Sequence, residues 1–207
     1  MPKSLRVGVI NYFFMKKHLL LLTLLIGNVF IVLSIHPLRQ VITNNTSLEV
    51  QRTIYRTYTP EQKLIIWTDK LNQTLQYGGG WNNEQYDFII MVRNHLNELV
   101  FTDNSIQQAN FITFYHNIQS NGINLFGLTT FGKIFGLLND YDNNAPVGTE
   151  GNNDCECCST CTFTCEWWNG QSCDKSNKCV SDTRGCGFLF NQKCDGKCDI
   201  GILPPQQ

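Results

Sequence analysis

All ten cysteines of this 207-residue chain fall in the 44 residues from Cys155 to Cys198, and none precedes them. They are Cys155, Cys157, Cys158, Cys161, Cys165, Cys173, Cys179, Cys186, Cys194 and Cys198. A segment so dense in thiols and so poor in aliphatic side chains has almost no core to build. Crosslinks at roughly 2–4 kcal/mol each must then supply its stability. Ten is an even number, so five disulfides close with none left over, and the pairing is one of roughly a thousand. Adjacent Cys157 and Cys158 are expected to take different partners, because an unstrained bridge holds its Cα atoms about 4.4–6.8 Å apart. Zinc is the rival reading, since Cys155-x-x-Cys158 and Cys158-x-x-Cys161 have chelating spacing. Against zinc stand the absence of His from the tail and a thiol count too high for one site. Bridged cysteines persist only in an oxidising compartment, so the tail points to export.

The N-terminus points the same way. Seventeen uncharged residues, Leu19 to Ile35, follow Met15-Lys16-Lys17. A positive start and an apolar run are the layout of a secretory signal. Residues 1–34 are therefore expected to be an export signal, starting at Met1 or better at Met15. An uncleaved membrane anchor is the alternative, although a spanning helix needs about 20 apolar residues. A buried core helix is the third reading. Membrane contact through this segment is expected.

Residues 47–139 carry helical patterns. In Thr59-Pro60-Glu61-Gln62, the hydroxyl can cap, Pro60 suits a first turn and Gln62 can close a capping box. Leu64, Trp67, Leu71 and Leu75 then mark one helix face, which Gly78-Gly79-Gly80 ends. Asn83 is the expected cap of a second helix, with Phe88, Val92, Leu96, Leu99 and Val100 inward. A third starts at Ser105 with Ile106, Phe111, Phe114, Tyr115 and Ile118 inward, and Gly122 and Gly127 break it. A short last helix begins at Thr129, with Phe131, Ile134, Phe135, Leu137 and Leu138. Such helices can pack as a small bundle.

This stretch holds no convincing catalytic set, so no enzyme and no cofactor is expected. His95 and His116 sit inside helical patterns without identifiable metal partners. Glu61, Asp69, Glu84, Asp87 and Glu98 read as solvated helix faces. Gly78-Gly79-Gly80 lacks the Lys and Ser/Thr of a phosphate loop. With Lys+Arg 16 against Asp+Glu 17, bulk positive charge for nucleic acid is missing.

Residues 140–154 are rich in Asn, Asp and Gly and read as an exposed, protease-accessible linker. Asp140, Asp142 and Asn144 share the opening spacing of a calcium loop, but Ala145 stands where Gly is needed and Gly151 where a carboxylate is needed. In the tail, Trp167-Trp168 and Phe188-Leu189-Phe190 are candidate contacts for a membrane interface or protein partner. The alternative is that they cover the disulfides. Five basic and six acidic residues in 151–198 give no cationic attraction to lipid.

The tail opens Cys155-Glu156-Cys157-Cys158-Ser159-Thr160. It closes Gly185-Cys186-Gly187-Phe188-Leu189-Phe190, with Cys194-Asp195-Gly196-Lys197-Cys198 after it. It resembles the bacteriocin fulvocin C-related proteins, and the Tyr-x-Thr-Pro-Glu-Gln-Lys stretch with Trp67 resembles their N-terminal region. The resemblance covers residues 47–101 and 155–198; Cys158 and Cys161 are extra to its pattern. It implies an exported bacterial precursor, with the helical region as pro-segment and the tail as antibacterial effector against an unnamed target. The alternative is a non-toxic secreted or surface binding module with a disulfide-stapled recognition tail. The expected fold is mainly α: a signal or hydrophobic helix, a small bundle, then a disulfide-rich unit with little regular structure.

Overall fold

In a computed structural model of the chain, the described residues are 35–78, 80–140, 157–158, 161, 173–174 and 182–198. The chain divides into Met1–Ser34 and Ile35–Gln207. The first unit, and with it the export-segment reading, lies outside the described residues. So do Trp167, Trp168, Cys155, Cys165, Cys179 and most of the linker.

The second unit is mainly helical. Helix α1 spans Pro37–Thr43, α2 Leu48–Arg56, α3 Pro60–Tyr77 and α4 Asn83–His95. A 3-10 turn at Glu98–Phe101 leads to α5, Ser105–Phe126, and α6, Leu128–Phe135. The tail adds β1 (Cys173–Asp174), β2 (Asp182–Cys186), a 3-10 turn (Phe188–Phe190), β3 (Gln192–Cys194) and β4 (Lys197–Cys198). Strands β2 and β3 pair antiparallel, as do β1 and β4.

Local chemistry explains the helix starts. Thr59 caps α3 by accepting from the Gln62 amide at 3.3 Å, and Gln62 Oε1 accepts from the Thr59 amide at 2.9 Å. This is the expected capping box, with Pro60 in the first turn. The second helix is capped one residue earlier than expected: Asn82, not Asn83, forms a box with Gln85. Of these two asparagines, only Asn82 stands three residues before a glutamine.

Three expectations are corrected by packing. Gly122 does not break α5; it lies inside it, where an added Cβ would come within 2.3 Å of Phe131 and 2.7 Å of Phe88. Glycine is there for close approach of helices, and α5 ends at Gly127, whose φ is 73°. Leu99 is 50% exposed, because α4 stops at His95 and the 3-10 turn rotates it outward. Ile106, in the first turn of α5, is 68% exposed.

Helix α1 lies ahead of the expected bundle and carries its main polar tie. Arg39 is fully buried. Its Nε donates to Asp69 Oδ2 at 2.6 Å, Nη1 to Leu138 O and Asp140 Oδ1 at 2.8 Å each, and Nη2 to Gln73 Oε1 at 2.6 Å. A buried guanidinium is tolerated only with its donors and charge matched this way. Lys70, also buried, donates to the Asn139 carbonyl. Two readings change accordingly. Asp69 is not simply a solvated helix-face residue, and Asp140, first of the calcium-like spacing and of the linker, is pinned to Arg39.

One apolar core runs from Ile42 and Tyr55 through Trp67, Phe88, Tyr115 and Phe131 to Phe188, Leu189 and Phe190. The bundle and the end of the tail therefore share a core.

Candidate functional site

The site is built around the segment Gly185 to Cys194. The Cys186–Cys194 disulfide, with Cα atoms 5.3 Å apart, closes the β2–β3 hairpin. Its tip turns sharply. The Phe190 amide donates to Gly187 O at 3.3 Å, the Asn191 amide to Phe188 O at 3.1 Å, and the Phe188 amide to Gln192 Oε1 at 3.0 Å. Gly187 has φ 68°, and a Cβ there would meet Gln192 Oε1 at 1.7 Å. Only glycine fits.

Leu189 and Phe190 also have positive φ, 55° and 53°. For side chains of this size the left-handed region costs about 1–2 kcal/mol per residue. The tip is held there because it turns three large apolar groups into the bundle at once. Phe188, Leu189 and Phe190 are all essentially fully buried. Burial contributes about 1.5–3 kcal/mol for each such side chain, which outweighs the backbone cost.

Each ring has its own aromatic seat. Phe188 stacks on Tyr115 at 4.5 Å between centroids and lies 5.2 Å from Phe135, 5.9 Å from Phe111 and 6.1 Å from Phe131. Phe190 meets Tyr55 at 5.4 Å and Trp67 at 5.6 Å, both edge to face. These separations suit offset and T-shaped pairing. The Arg52 guanidinium sits 5.7 Å over the Phe190 ring. Asn191 fixes the depth of insertion, donating from Nδ2 to the Val100 carbonyl in a buried hydrogen bond of 2.9 Å.

The candidate target contacts Phe188, Leu189 and Phe190 are thus corrected. They are not exposed to solvent but form a plug in the helical bundle. The physical reason is that α2, α3, α5 and α6 present six aromatic side chains that these groups complete. The bundle and the hairpin tip thus share buried contacts.

The rest of the described tail is held by backbone and sulfur. The Asp195 and Gly196 amides donate to Cys157 O at 2.9 and 3.0 Å, and the Cys157 amide to Gly196 O at 3.2 Å. Cys157 pairs with Cys173, and Cys158 with Cys161. Neighbouring Cys157 and Cys158 therefore take different partners, as expected. The two cysteines extra to the resembled pattern close on each other. Among the described residues, no cysteine is free.

A cleft of about 660 Å³ opens where bundle and tail meet, with Asp103 and His116 on one side and Cys161, Lys193 and Asp195 on the other. His95, by contrast, stacks on Phe114 at 3.7 Å. Among the described residues, no group of three or more His, Cys, Asp or Glu is placed to hold a metal ion. Nor is any described helix long and apolar enough to cross a membrane.

Comparison with protein-family models, with curated proteins and with solved structures finds no match for this chain.

Proposed function

We propose that the chain is an exported precursor of the fulvocin C type, in which the helical bundle is a pro-segment and the cysteine-rich tail an antibacterial effector. The observation that carries this reading is the plug. The tail's most apolar group, Phe188-Leu189-Phe190, is shielded inside the bundle, which is what a latent precursor requires. An exposed apolar patch of that kind would engage membranes or proteins indiscriminately. The disulfides support an oxidising destination, which we take to be the periplasm, the cell surface or the medium. In this reading the full chain is silent. Growth inhibition of neighbouring strains should appear with the oxidised tail separated from the bundle and be absent with the intact chain. Inactivity of both would overturn the proposal.

The second reading, a non-toxic binding module, is supported by the cleft between bundle and tail, which exists only while the two stay together. In that case the intact chain is the working form, and separation of the parts abolishes ligand capture.

A further inference from the structure

We infer that the bundle is a receptor for the Gly185–Cys194 hairpin and retains the tail after the connecting segment is cut. The inference holds whether or not the tail kills, and it differs from the simple expectation that scission releases the tail.

The argument starts from what joins the two parts. No cysteine precedes Cys155, so no disulfide can tie the bundle to the tail. Once the chain is cut between Asp140 and Asp154, any retention is non-covalent. The contact that remains has the anatomy of a tight interface. Two aromatic anchors, Phe188 and Phe190, fill separate aromatic seats with no exposure to solvent. Anchors of this kind carry most of the energy of protein interfaces. A buried polar bond, Asn191 to Val100 O, sets the register. At the rim, Arg56 Nη2 lies 4.0 Å from Cys194 Sγ and Arg56 Nε 3.2 Å from the position a Cβ on Gly185 would take. The Arg56 and Arg52 side chains of α2 thus flank Gly185.

The hairpin is also preorganised. The Cys186–Cys194 bridge and the Gly187 turn fix the tip in its bound shape, positive φ at Leu189 and Phe190 included. Less freedom is lost on docking, and that raises affinity. Pinning of the other flank acts in the same direction. Leu138, Asn139 and Asp140 are held to α1 and α3 by Arg39 and Lys70, so a cut beyond Asp140 leaves the bundle end closed. Release then needs a second event that opens the hairpin or competes for its seat.

The test replaces residues 144–150 with a site-specific protease sequence in the otherwise intact, oxidised chain. Complete scission is verified on a denaturing gel, and the product is run by size exclusion at about micromolar concentration. The expected result is co-elution of both fragments at the mass of the uncut chain, and separation only in denaturant or after reduction. Separation of the cut fragments in native buffer would overturn the inference. A Phe188→Ala version of the cut protein is expected to separate at least tenfold more readily on dilution. Its far-UV spectrum reports whether the bundle is folded, and the unsubstituted cut protein decides the question if it is not.

Discussion

Replacing Phe188 by Ala separates a shared core from two independent parts, because the substitution is made in the tail and read in the helices. Phe188 is fully buried and its ring lies within 6.1 Å of Tyr115, Phe111, Phe131 and Phe135. Two of those partners belong to α5 and two to α6. Truncation leaves a cavity walled by rigid aromatics that cannot collapse, so the cost falls in the usual range of about 3–5 kcal/mol for such a deletion. That is a large share of the 5–15 kcal/mol total of an ordinary domain. For a unit of this length, a loss of 1 kcal/mol lowers Tm by about 2–4 °C. The helical melt, followed by far-UV circular dichroism on the oxidised protein, should therefore fall by about 6–20 °C. Leu99→Ala is the control, since Leu99 is half exposed and such surface changes stay within about 0.5 kcal/mol. A helical melt for Phe188→Ala that coincides with the parent's would refute the reasoning. The triplet would then not be part of the bundle core.

The other expectations follow from the same structure. Arg39→Met leaves Asp69 without its buried partner and should cost about 3–5 kcal/mol by urea unfolding; a midpoint unchanged from the parent would show the network to be idle. Gly122→Ala pushes a methyl into Phe131 and Phe88 and should cost about 1–3 kcal/mol, whereas a stabilised variant would mean α5 is free to shift. Replacing Cys186 and Cys194 together by Ser should lower the helical melt, because the crosslinked hairpin sits in the core. Replacing Cys158 and Cys161 removes a shorter loop, worth only about 2 kcal/mol, and should leave that melt nearly unmoved; the reverse order would contradict the placement of the hairpin.

Where the sequence was legible, a local rule had only one way to be satisfied. Thr59-Pro60-Glu61-Gln62 can cap one helix, and the apolar run of Phe131, Ile134, Phe135, Leu137 and Leu138 is buried throughout, as its spacing requires. Failures came where the deciding partner is distant in the chain. Gly122 looks like a breaker until Phe88 and Phe131 are seen to crowd it. Arg39 stands in no recognisable motif, and only the fold brings Asp69, Gln73 and Asp140 around it. Pro37 after His36 was the available signal for α1, since His36 Nδ1 accepts from the Leu38 amide and caps the helix. The tail triplet has no periodicity, so nothing local distinguishes a surface patch from a plug. The glycines beside it were the clue: Gly187 is needed for a turn sharp enough to present three consecutive side chains to one cavity.

The central claim is that the tail's aromatic tip fills the bundle. Nuclear Overhauser contacts in the oxidised, uncut chain test it most directly, with the rings of Phe188, Phe190, Tyr115 and Trp67 selectively labelled. Cross-peaks are expected between Phe188 and Tyr115, whose centroids are 4.5 Å apart, and between Phe190 and Trp67 at 5.6 Å. Solvent-exposed Phe188 and Phe190 rings with no cross-peak to either helix residue would contradict it.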